Sequence, residues 1–300
     1  LGQKLLPMVH RPSMPYNFQC VNATYINAYA FPGGTIAVTR GILLELENEA
    51  QLAALLGHEL GHVNARHSAE QMSKGQLSSL LVGGLTIAAG SQSAGAGELV
   101  QQLGSLGQGL LLSKYSRDNE READALGNAY MVKSGYPSQG FVMLMEMLDT
   151  LNKGSSSAVQ VLFSTHPMSN ERLSAAVHRA TGVYDSSKNQ SLGRERYMDH
   201  LEPLRKKKKG IAQLQEGEKY MGKKEYDQAR KAFQTALKTL DNDYTAHVLM
   251  AKCLMLRKDP SNALTHAELA TRLYPSEAQG YYVAGLANTE LEKWTAAYRQ

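Results

Sequence analysis

Only two cysteines occur in 300 residues, Cys20 and Cys253, and they fall in what we read as different domains. A disulfide framework is therefore not expected, and neither cysteine has zinc-ligand spacing to a histidine; each reads as a small buried apolar residue. Long hydrophobic runs are missing too. The most apolar stretches, 77–89 and 110–112, are too short or too broken by Gly and Ser to cross a bilayer as a helix, so no transmembrane span is expected. Nor is there the broad basic surface that nucleic acid demands. The net charge is +4, but residues 201–300 carry 17 Lys and Arg against 12 acids, and five of those cations form one run, Arg205 to Lys209. Such a run reads as a solvated connecting helix or linker, and no nucleic-acid partner is expected. The chain starts at Leu1 and not at Met, from which we expect that an N-terminal piece, with any targeting signal, has been removed.

What is present describes an ordinary globular composition, 43% hydrophobic and 20% charged, in a chain longer than one domain usually is. Thr35 to Thr39, entered through Pro32-Gly33-Gly34, reads as a β-strand. Its edge is the expected docking line for an extended peptide. Asn48 with Gln51 gives an N-cap signature, and Leu52, Leu55, Leu56 and Val63 supply the apolar face of a helix expected to run to about Met72. Residues 83–109 hold eight glycines among serines and leucines, which suits a mobile lid. Further helices are expected over about 118–134, stopped by Gly135-Tyr136-Pro137, and about 138–153.

From Gly210 the pattern changes. Tyr226, Pro260 and Trp294, then Ala229, Ala263 and Ala297, then Gly217, Ala251 and Gly285 coincide when the sequence is shifted by 34 residues. One shared period means repeats, and this one matches the tetratricopeptide repeat. The expected organisation is one domain over 1–190, a basic linker or connecting helix over 191–209, and repeats over 210–300 that continue beyond Gln300.

The chemistry lies in His58-Glu59-Leu60-Gly61-His62. Two imidazoles at i and i+4 share one helix face, so both reach one ion, while Glu59 is rotated by about 100° and meets a water instead. A catalytic zinc takes three protein ligands and keeps a position for water, so one more donor is required. Glu120 is the best candidate, because Asp124 lies four residues on and faces the same way; one carboxylate ligates while the other orients a histidine. Glu122 is the competitor, about 200° away around that helix. His67 follows the motif closely but should point about 140° away from His62, as a surface residue. His10, His178, His200, His247 and His266 have no ligand spacing.

The HExxH motif, the later Ser116-Arg117-x-x-Glu120 segment with Asp124, and Ile26 to Gly34 together resemble the CaaX-prenyl-protease and HtpX-like zinc metallopeptidases over about residues 20–180. The attached repeats narrow the resemblance to the periplasmic, β-barrel assembly-enhancing branch. It implies an α+β, mostly helical zincin-type domain with a small sheet, followed by an α-solenoid. It also implies one Zn2+ held by His58, His62 and Glu120, with Asp124 behind them and Glu59 as general base.

The resemblance also points to Thr165-His166-Pro167 and Arg172, a loop that lies beside the metal in relatives. His166 reads in three ways: a latch holding a resting enzyme closed, an electrophile stabilising the oxyanion, or a surface histidine before a turn proline. The expected function is endoproteolysis of unfolded or misassembled outer-membrane proteins in the periplasm, free or membrane-associated. The repeats would dock substrate or the assembly machinery. The alternative is a chaperone or adaptor module in which proteolysis is secondary or latched.

Overall fold

The computed structural model describes residues 1–71, 73, 114–154 and 157–299. They divide into two units, one of Leu1–Val21 with Ile26–His200 and one of Asn22–Tyr25 with Leu201–Gln300. The glycine-rich stretch 83–109, expected as a lid, lies outside the described residues.

The first unit is mostly helical, opening on the short helix α1 (Gly2–Leu5), and holds one three-stranded sheet. β1 (Asn17–Val21) pairs in parallel with β3 (Thr35–Thr39), and β2 (Ala28–Ala30) pairs antiparallel with it, in the order β1-β3-β2. The β-branched run of β3 suits this central place, and Ile36 to Thr39 are all buried. Gly34 enters the strand at φ 93°, a left-handed conformation that glycine takes without strain. The central place corrects one expectation: β3 has no edge to offer a peptide, because β1 and β2 occupy both sides. β-propensity marks a strand, but its neighbours are set by distant segments. Cys20 is likewise corrected, since it is exposed on edge strand β1 while Cys253 is buried.

Thr39 ends β3 and caps the short helix α2 (Arg40–Glu45), and Asn48 caps α3 (Glu49–Asn64) by accepting from Gln51 N at 2.9 Å. Unlike a surface amphipathic helix, α3 is buried almost all round, from Ala50 through Val63 apart from Leu52. It does not run on to Met72. The helix ends at Asn64, Arg66 takes φ 62°, and a new helical turn covers residues 67–71.

α4 (Arg117–Lys133) lies against α3, and the contact explains three small residues. A Cβ on Gly57 would sit 2.7 Å from Gly127 O, one on Gly61 2.8 Å from Ala123 O, and one on Gly127 2.5 Å from His58 N. Backbone touches backbone, so any side chain there would force the helices apart. α4 begins at a capping box between Ser116 and Asn119 and ends at Lys133, followed by Ser134 and then Gly135 at φ 83°, close to its expected span. α5 (Gln139–Lys153), α6 (Gln160–Thr165), α7 (Asn170–Thr181) and the first part of α8 (Arg194–Arg205) complete the unit.

The second unit holds α9 (Lys208–Gly222), α10 (Tyr226–Leu237), α11 (Tyr244–Leu256), α12 (Pro260–Leu273), α13 (Ala278–Glu290) and α14 (Trp294–Arg299). The helix starts 226, 260 and 294 recur every 34 residues, as do 244 and 278. So do the turns between paired helices, where Lys224, Lys258 and Glu292 take φ of 62°, 58° and 58°. Small residues let these helices close on one another: Ala251, Ala267, Val283 and Ala284 form one buried cluster. Gly217 lies so near Phe233 that a Cβ there would meet the ring at 2.2 Å.

Candidate metal centre

α3 delivers His58 and His62 on one face, one turn apart, with their Nε2 atoms 3.0 Å from each other. The tight α3–α4 contact brings Glu120 to the same point from across the helix pair. Its Oε1 lies 3.4 Å from His62 Nε2 and its Oε2 3.7 Å from His58 Nε2. The loop after α6 adds His166, whose Nδ1 is 3.0 Å from Glu120 Oε1 and 3.4 Å from His58 Nε2. All four side chains are buried, and among the described residues they form a group able to hold a metal ion. His166 is thus in the centre rather than on a surface loop.

The donor set fits a cation. A tetrahedral ion with bonds of about 2.1 Å to nitrogen and oxygen spaces its ligands about 3.4 Å apart. The five separations just given, 3.0 to 3.7 Å, bracket that value. Burial holds His62 well below the usual imidazole range, so its lone pair is free to ligate. Burial would raise Glu120, but His166 and Arg172 outweigh it and hold this carboxyl well below its usual range. Glu59, next to His58, is buried at 2% exposure with its carboxyl pushed up by burial. Its Oε2 has no hydrogen-bond donor among the described residues, and its Oε1 is 4.0 Å from His166 Nε2.

Behind the donors stands a second layer of charge. Asp124 Oδ1 lies 2.9 Å from His58 Nδ1, the nitrogen turned away from the cluster. Arg172, on α7, donates through Nε and Nη2 to both Asp124 oxygens at 2.7 Å. Its Nη1 pairs with Glu120 Oε2 at 2.6 Å and donates to Pro167 O at 3.1 Å. One guanidinium therefore ties α4 to the loop that carries His166, in the fork geometry that arginine provides. Coulombic attraction from Arg172 and its hydrogen bonds overcome the burial that would raise Asp124, and its pKa is lowered.

Three residues of the site were not expected. Tyr115 stacks on His62 with ring centroids 3.8 Å apart, and its hydroxyl shares a 2.8 Å hydrogen bond with Ser68. His67, expected on the surface, is 2% exposed and sits with Nδ1 3.0 Å from His62 Nδ1. The cause is the left-handed Arg66, which breaks the helix and turns the chain back over His62. Neither Gly nor Asn stands at 66 to signal it. Glu122, the rival to Glu120, faces His67 at 3.3 Å and is exposed. A cleft lined by Tyr115, Arg121, Pro167, Met168 and Arg172 adjoins the centre.

The sequence pattern of peptidase family M48 matches residues 1–180, which takes in every residue of this centre. The chain belongs to peptidase family M48. Among curated relatives, this M48 chain is 29% identical over 263 residues to the beta-barrel assembly-enhancing protease of Escherichia coli (strain K12), covering 79% of this chain and 53% of that protein. It is 31% identical over 185 residues to the Yersinia pestis protein of that name, covering 60% and 37%. To metalloprotease YcaL of Escherichia coli (strain K12) it is 35% identical over 159 residues, covering 53% and 59%. The M48 chain spans about half the length of the first of these.

Proposed function

We propose that this chain is a zinc-dependent endopeptidase, with one Zn2+ held by His58, His62 and Glu120 and with Glu59 as its general base. The observation that carries the reading is Glu59, a buried carboxylate with an oxygen lacking a donor among the described residues, beside a cation-sized set of donors. A purely structural metal site has no use for such a group. When bound, zinc supplies Lewis acidity, polarising the scissile carbonyl and lowering the pKa of a water. Glu59 takes the proton of the attacking water and then hands it to the leaving amine, one carboxylate serving as base and then acid. Burial displaces its pKa upward, which makes it a stronger base than an exposed carboxylate. Asp124 fixes the His58 ring so that Nε2 faces the cluster, and Arg172 balances the two carboxylates, Glu120 and Asp124.

Substrates are unfolded or misassembled proteins, including those bound for the outer membrane, and the setting is the periplasm. The likeness to a protein called a beta-barrel assembly-enhancing protease supports this reading. Among the described residues no helix is long and apolar enough to cross a membrane. The 34-residue recurrence of helix starts and left-handed turns supports tetratricopeptide repeats in the second unit, which dock substrate or assembly machinery.

The second reading is a binding module in which proteolysis is latched, and His166 favours it. Its Nδ1 lies among the donors, at 3.0 Å from Glu120 Oε1, in the place a water or a carbonyl would need. The test is degradation of casein by the wild type, Glu59→Gln and His166→Ala, with zinc content recorded. Cleavage by the wild type and none by zinc-loaded Glu59→Gln supports the peptidase reading, and equal cleavage by both refutes it. Faster cleavage by His166→Ala supports the latch; a sharp loss makes His166 the oxyanion donor.

A further inference from the structure

Resting on the zinc reading above, we infer that His67 and Glu122 are positioning residues that hold His62 in the tautomer and orientation in which it ligates. The proton placements force one another. His62 Nε2 faces the cluster, 3.0 Å from His58 Nε2 and 3.4 Å from Glu120 Oε1, so that nitrogen must keep its lone pair to bind a metal. A neutral imidazole then carries its one proton on Nδ1. That Nδ1 is 3.0 Å from His67 Nδ1, which must accept, so the proton of His67 is on Nε2. His67 Nε2 in turn is 3.3 Å from Glu122 Oε2, a carboxylate that only accepts. The line runs from carboxylate to imidazole to imidazole to metal, each donor meeting an acceptor.

This mirrors the treatment of the other ligand by different means. His58 turns its second nitrogen to Asp124 at 2.9 Å, directly to a carboxylate. His62 reaches its carboxylate through one intervening ring. Ligating histidines as a rule give their second N–H to a fixed acceptor, and losing that acceptor weakens metal binding. The backbone is arranged for the contact. On an unbroken helix residue 67 would point about 140° from residue 62. Arg66, a non-glycine at φ 62°, stops α3 two residues earlier and brings His67 over His62 at 2% exposure. Ser68, beside it, is anchored to Ala30 O at 3.1 Å and to Tyr115 OH at 2.8 Å, which fixes the start of this turn.

The experiment measures zinc affinity by competition with a chromogenic chelator, for the wild type, His67→Phe, His67→Asn and Glu122→Ala, with the melting temperature of each metal-free protein. Phe keeps the ring but has no acceptor, whereas Asn places Oδ1 where His67 has Nδ1. Zinc binding by His67→Phe should weaken by about 10–100-fold, as for loss of other acceptors behind metal ligands. His67→Asn should recover most of it, and Glu122→Ala should show a smaller loss in the same direction. A role in packing alone would lower metal-free stability and leave Phe and Asn equally weak or equally sound, and either result overturns the inference. Should His67→Phe not fold, unchanged zinc affinity in Glu122→Ala, altered at an exposed position, overturns it as well. A wild-type chain that takes up no zinc overturns the zinc reading itself, and this inference with it.

Discussion

Replacing Gly127 by Ala tests whether the contact between α3 and α4 builds the centre. The new Cβ would lie 2.5 Å from His58 N and 2.6 Å from Gly57 C, both backbone atoms that no side-chain rotation can move aside. Ordinary contacts of this kind need about 3.5 Å, so the helices must part by about 1 Å. Two opposite effects act on stability. Overpacking costs about 1–3 kcal/mol, while Gly to Ala inside a helix returns about 1 kcal/mol, leaving a net loss of roughly 0–2 kcal/mol. The effect on function is larger, because His58 and His62 are on one helix and Glu120 is on the other. A shift of 1 Å at a reacting centre lowers turnover by about 100-fold. The assay pairs thermal unfolding of the metal-free protein with initial rates of casein cleavage at saturating zinc. A folded Gly127→Ala protein with wild-type turnover would refute the reasoning, since it would mean that the helices need not touch.

Arg172→Met should destabilise the metal-free protein by about 3–5 kcal/mol, because it leaves Glu120 and Asp124 buried without their cation. It should also reverse the pH dependence. In the wild type Asp124 is depressed, so its contribution is present above its unfolded pKa and lost as pH falls through the folded one. Without Arg172, Asp124 loses both of its largest lowering causes and burial raises its carboxyl, so the variant should gain stability as pH falls below 7; urea titrations at pH 5 and 7 decide the sign. Zinc at 100 times its dissociation constant should stabilise the folded chain by about 2.7 kcal/mol, raising the melting transition of the first unit by about 5–11 °C, and chelator should reverse the shift. Lys258→Gly should stabilise the second unit by about 0.5–1 kcal/mol in urea unfolding, since Lys258 holds a left-handed φ of 58° that glycine adopts without strain.

Some of this molecule is legible because its determinants are local. The i, i+4 spacing of His58 and His62 fixes a shared helix face whatever surrounds it, and the same holds for Glu120 and Asp124 on α4. The cap at Asn48 acts within one turn, and so α3 begins where its sequence says, while α4 begins within a residue of its expected start. The period of 34 survives in the backbone because each helix pair packs on the next, with Ala251 and Ala267 of one pair and Val283 and Ala284 of the following one in a single cluster.

The sequence by itself therefore determined which side chains share a face, where helices start and what chemistry the HExxH residues offer. Tertiary structure alone decided the rest. That β3 lies between β1 and β2 depends on strand pairing across non-adjacent segments. That Arg172 grips Asp124 across 48 positions depends on how α7 meets α4. That His67 faces His62 depends on one left-handed residue, Arg66, which no local propensity announces and which packing around Ser68 and Tyr115 holds in place. Periodicity speaks for one element at a time, whereas the acceptors behind the donors come from other elements, and their positions are fixed only when the core closes.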